Sequence, residues 1–190
     1  MSKTLIITAV LSIVGTGSLI TVNQITKSKE PIVGVQHASQ GQAHIKQGEA
    51  HDAYNSDPAS SGPHYADSSA PTDWGIYTQE VPDEVFIHNE EHGGVIVTYQ
   101  PELLPSDQLK KLQDLFNAPY SNKAFSPIKF IITPRSKDKH AIELASWTYT
   151  LNLDAYDETT IIKFFNQHAG RAPEPTAGPF NTPINQAAGK

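Results

Sequence analysis

Val85-Phe-Ile-His-Asn-Glu-Glu-His-Gly-Gly-Val-Ile-Val-Thr-Tyr-Gln100 joins the densest group of metal-competent side chains in the chain to its clearest run of β-formers. Its second half, VIVTY, is a run of β-branched and aromatic residues closed by Pro101, and it reads as a strand. Its first half sets His88 and His92 four residues apart, with Glu90 and Glu91 between them. As a short helix over 82–92, this spacing puts both imidazoles on one face, one turn apart. As a loop, the Gly93-Gly94 pair lets the backbone bend until both rings converge. Because the strand follows Gly94 directly, there is space for one or two helical turns, a tight corner feeding a sheet.

Downstream, residues 106–116 begin after Pro105 and carry Leu109, Leu112, Leu115 and Phe116 on one helical face. Residues 128–133 read as a strand ended by Pro134, and 141–150 as another containing Trp147. The charged 135–139 fits a hairpin between those two strands. A second helix spans 157–167, capped by Asp157 or Asp154, with Ile161, Ile162, Phe164 and Phe165 for burial. The order strand, helix, strand, strand, helix predicts an α+β fold, with an antiparallel or mixed β-sheet packed against two helices.

The N-terminal half is loop-rich. Pro58, Gly62 and Pro63 exclude regular helix or central strand from 48–65. That segment stays ordered only if it is tied down, either by packing of Tyr54, Tyr65 and Trp74 or by a ligand held by His51 and His64. Trp74-Gly-Ile-Tyr77 reads as a short strand or an aromatic plug.

The chain has 190 residues, enough for one globular domain, but only 38% are hydrophobic. A net charge of −6 without a basic run excludes a nucleic-acid partner. There is no cysteine, and the only methionine is Met1. Disulfides, iron–sulfur clusters, thiol nucleophiles and blue-copper centres are thereby excluded. Any metal must be held by imidazole, carboxylate or backbone oxygen.

Residues 5–22 carry no charge and approach the ~20 apolar residues needed to cross a bilayer. No clean small-residue cleavage site follows, so an uncleaved anchor is favoured over a signal peptide removed on secretion. The expected organisation is an anchor or signal segment at 1–25, a linker at 26–47, a single α+β domain at 48–175 and an irregular tail at 176–190. The bulk of the chain is expected to face the periplasm or the cell exterior.

Three motifs carry a resemblance: Tyr54-Asn-Ser-Asp-Pro-Ala-Ser-Ser-Gly-Pro-His64, Trp74-Gly-Ile-Tyr77 and His88-Asn-Glu-Glu-His-Gly-Gly-Val95. Over about residues 41–175 the chain resembles a family of bacterial and archaeal extracytoplasmic proteins classed as a domain of unknown function. Ala59 stands where that family more often has a second proline. The resemblance implies membrane association and a single domain, and it supplies no activity.

Chemistry therefore rests on the residues. Six of the eight histidines fall between positions 37 and 92. His64, on the rigid Ser61-Gly-Pro turn, joins His88 and His92 as candidate metal ligands, with His51 next and His44 left open. Imidazoles in a chain without thiolates suit a type-2 copper or a zinc site, and the divalent affinity order puts copper ahead. Calcium and magnesium prefer oxygen cages. His37, His140 and His168 read as surface or hydrogen-bonded histidines. Glu90 reads as part of a solvated acidic turn, and Glu91 as an acceptor that fixes a ligating imidazole.

His88-Asn-Glu-Glu-His92 also matches H-x-x-E-H, which opens a second reading as a small zinc hydrolase with Glu91 as general base. A third reading has no metal, the His, Tyr and Trp motifs holding the loops by hydrogen bonds. The expectation is a membrane-anchored protein that binds and handles a transition metal, rather than one that turns over a substrate.

Overall fold

The structure, a computed structural model, describes residues 30–117 and 129–175. The expected membrane segment at 5–22 and the tail at 176–190 lie outside the described residues. Among those described, no helix is long and apolar enough to cross a membrane. In chain order the first elements are β1 (Val35–Gln36), β2 (His44–Ile45), β3 (His64–Tyr65), β4 (Gly75–Ile76) and α1 (Asp83–Glu91). There follow β5 (Val95–Tyr99), α2 (Ser106–Asn117), β6 (Phe130–Pro134), β7 (Ile142–Ser146), β8 (Tyr149–Leu153) and α3 (Glu158–His168).

Six strands form one mixed sheet in the order β1-β8-β7-β5-β6-β4, and β2 pairs with β3 as a separate parallel ladder. The strand that follows the Gly-Gly pair is central. β5 runs parallel to β6, with Val97 opposite Ile132, and antiparallel to β7, with Val97 opposite Leu144. All five of its residues are buried. Side chains alternate across a strand, so each face of VIVTY feeds a different core. Val95, Val97 and Tyr99 pack with Leu112 and Phe116 of α2 and Phe164 and Phe165 of α3. Ile96 packs on the opposite side with Trp74, Val81, Val85, Phe86 and Ile87.

The fold is α+β with a mixed sheet, as the element order predicts, and among the described residues α1 joins the two expected helices in covering it. α2 and α3 take one face. The other is sealed by α1 and by the Pro- and Gly-rich segment, whose Ala59, Ala70 and Trp74 are buried there. Trp74-Gly-Ile-Tyr77 is both strand and plug: Gly75 and Ile76 pair parallel with β6, and Trp74 is buried beside them. α3 is capped by Asp157, which accepts from the Thr160 N–H at 3.1 Å.

Two expectations are corrected. The stretch 141–150 is not one strand. Ser146 pairs with Tyr149, so the chain reverses at Trp147-Thr148, with Thr148 in the left-handed region at φ 63°. The charged 135–139 is not a hairpin either, because β5 lies between β6 and β7. Its first residue, Arg135, is buried.

Candidate metal centre

α1 is a nine-residue helix, and it places the His88–His92 motif. Asp83 and Glu84 occupy its first turn, where acidic side chains favour the positive end of the helix dipole. At its C-terminus the Gly93 N–H donates to Glu90 O at 2.8 Å, and the Gly94 N–H donates to Asn89 O at 2.9 Å. These two bonds make a Schellman cap, with Gly93 at φ +85° supplying the left-handed residue. Gly94 is needed for a different reason: a Cβ there would lie 2.3 Å from the Trp74 ring. The Gly-Gly pair thus ends the helix, admits Trp74 and starts β5.

One turn before that cap, three imidazoles surround one carboxylate oxygen. Glu91 Oε2 lies 3.1 Å from His64 Nε2, 3.6 Å from His44 Nε2 and 4.0 Å from His88 Nε2. The ring centroids of His44, His64 and His88 are 5.0–5.2 Å apart. His44 and His64 are brought together by the β2–β3 ladder, in which they are direct partners and so share a face. His64, His88 and Glu91 are buried, whereas the His44 side chain is 53% exposed and forms the solvent side of the cluster. Gln42 donates its side-chain amide to the other Glu91 oxygen at 2.6 Å and fixes the carboxylate.

The outer nitrogens decide what the inner ones can do. His64 Nδ1 is 2.8 Å from Gly62 O, and His88 Nδ1 is 2.7 Å from Tyr65 O. A carbonyl only accepts, so both Nδ1 atoms carry protons and donate. Each Nε2 is thereby left to face Glu91, and that of His64 lies within hydrogen-bond distance of Oε2, at 3.1 Å. Burial pushes the His88 pKa down, against the pull of the Tyr65 carbonyl, and so favours its neutral form. Burial alone would raise the Glu91 carboxyl, but the Gln42 amide and the His64 and His88 imidazoles outweigh it, and the net shift is downward. Three Nε2 atoms therefore converge on a carboxylate, and the deprotonated rings would turn their lone pairs to a cation at that focus. His44, His64, His88 and Glu91 each offer a donor atom within 4.8 Å of the others, a set that could hold a metal ion.

His92 belongs to a second group, with Glu91 and Glu174. Its Nε2 is 3.8 Å from Glu174 Oε2, and its ring centroid is 4.7 Å from that of His88. Burial, then the neighbouring His88, push its pKa down to about 4. His51 is not brought into either group: its Nε2 lies 3.4 Å from Glu84, its Nδ1 lies 2.8 Å from Asp52 O, and its ring packs on Tyr54. Glu90 is corrected outright. It is fully buried, both its carboxylate oxygens lack a hydrogen-bond partner among the described residues, and burial raises its pKa well above the usual range. The solvated turn expected there does not exist.

Sequence reasoning paired His64 with His88 but left Gln42 and Glu174 unmentioned and His44 undecided. A parallel ladder of two residues per strand leaves no periodic signal, so the His44–His64 pairing emerges only in the fold. No curated protein and no solved structure matches the chain. A family model does match, over residues 44–180, a range that contains every residue of both groups. The chain belongs to that family, which is described as "Protein of unknown function (DUF3105)".

Proposed function

We propose that this chain is an extracytoplasmic protein, held at the membrane by its apolar N-terminal segment, that binds and handles a transition metal ion. The ligands are His44, His64, His88 and Glu91, with copper(II) ahead of zinc(II). One observation carries this reading: two buried imidazoles whose Nδ1 protons are committed to the Gly62 and Tyr65 carbonyls direct their Nε2 atoms at one carboxylate oxygen. Three nitrogens and an oxygen without a thiolate suit type-2 copper or tetrahedral zinc, and imidazole binds copper(II) more tightly along the divalent series. The half-exposed His44 supplies a route by which metal is received and passed on.

The geometry does not favour the hydrolase reading. His88 and His92 fall in different groups, and Glu91 sits among the imidazoles as a ligand instead of standing free as a base.

The test uses full-length untagged protein, stripped with chelator and then dialysed against copper(II) or zinc(II). Metal analysis and copper EPR should show a nitrogen-ligated ion that is lost in His64→Ala, weakened in Glu91→Gln and unchanged in His51→Ala. Binding indifferent to both His64→Ala and Glu91→Gln would leave the motifs as hydrogen-bonded scaffolding.

A further inference from the structure

His92 follows Glu91 at the end of α1, its ring 4.7 Å from that of His88, and the chain beyond α3 comes back to meet it. The Gly170 N–H donates to Gly93 O at 2.8 Å, and the Glu174 N–H donates to Glu91 O at 3.0 Å. Lys129 ties the same strap down, its ammonium donating to His92 O at 2.6 Å and to Pro175 O at 3.0 Å. Gly170 passes so close that a Cβ on Gly93 would lie 2.9 Å from its Cα. The strap is thus fixed by backbone contacts to the end of α1, and it carries the Glu174 carboxylate to 3.8 Å from His92 Nε2. That separation is too long for a hydrogen bond. The His92 side chain is only 8% exposed, and its Nδ1 is buried without a hydrogen-bond partner among the described residues.

We infer a second cation position at Glu91, His92 and Glu174, next to the first and sharing Glu91 with it, so that the centre takes two divalent ions across one carboxylate. This rests on the proposed binding at His44, His64 and His88, because Glu91 is common to both groups. The donors of the second group lie within 4.8 Å of one another, and the His92 ring meets the His88 ring edge-on at a centroid separation of 4.7 Å. One imidazole and two carboxylates suit a divalent ion that accepts mixed nitrogen and oxygen ligands. Carboxylate-linked ion pairs are a recurring arrangement in two-metal sites. The first position is buried behind His44, whereas the second opens to solvent at Glu174, whose side chain is 54% exposed.

Equilibrium dialysis of full-length untagged protein against copper(II) alone tests this. Wild type should bind two equivalents, and Glu174→Gln and His92→Ala should each bind one. Glu174→Gln alters only an exposed side chain, so it guards against a folding defect in His92→Ala. Two equivalents retained in either variant, or a single equivalent in wild type, would overturn the second position. In the single-equivalent case, loss of that ion in His64→Ala would leave the first position standing. No copper bound at all would remove both.

Discussion

Glu91 concentrates the electrostatics of the site in one side chain, because its two oxygens serve Gln42 and three imidazoles together. Glu91→Gln keeps the shape and removes the charge, and it should weaken copper(II) binding by at least about 10–100-fold in a competitive chelator titration. Its neighbour in sequence, Glu90, contributes only a penalty: a buried carboxyl without a hydrogen-bond partner among the described residues. Glu90→Met removes that penalty and should stabilise the metal-free protein by about 1–3 kcal/mol in urea unfolding, with copper binding unchanged. Arg135 is the opposite case. Its buried guanidinium donates to both Asp83 oxygens, at 3.2 and 3.0 Å, to Asp57 at 2.5 Å and to Asp138. It thereby joins the irregular segment to α1 and to the loop after β6. Arg135→Met leaves the buried Asp138 uncompensated and should cost about 3–5 kcal/mol by the same measurement.

At the scale of elements, the Schellman cap of α1 links helix, plug and strand. Gly94→Ala drives a Cβ into the Trp74 ring and the Asn89 carbonyl and should destabilise by about 1–3 kcal/mol, lowering the thermal midpoint. The same elements show how much was legible. VIVTY, the amphipathic helix after Pro105 and the capped α3 announced themselves through apolar period and punctuation. The turn at Trp147-Thr148 did not, because neither residue is one that a tight turn usually demands. α1 was legible as a motif but not as the cover of a sheet face. Its buried residues include His88, Asn89, Glu90 and Glu91, so its polarity hides the burial. For the site, the His88–His92 spacing pointed to the right helix, and the fold then sent the two rings to different groups. His51 ranked next after His64 in sequence, yet only His64 sits on a ladder that delivers it to α1.

Across the whole molecule, buried histidines set the acid stability. His92, His88 and His168 all have folded pKa values lowered by burial, that of His92 to about 4. The unfolded chain therefore binds more protons below about pH 6.5, and their stabilising contribution is full above that value and lost as pH falls toward 4. His92 alone accounts for no more than about 3 kcal/mol of this loss, which should shrink in His92→Gln when unfolding is followed between pH 7 and 4. Glu90 acts with the opposite sign, since its raised pKa costs stability as pH rises above the ordinary carboxyl range. Copper(II) is proposed to sit where His44, His64, His88 and Glu91 converge. Anomalous diffraction at the copper edge, from crystals of copper-loaded protein, locates the ion directly. A peak bounded by the three Nε2 atoms and the Glu91 carboxylate is the expected result, and a map with no peak there would contradict the account.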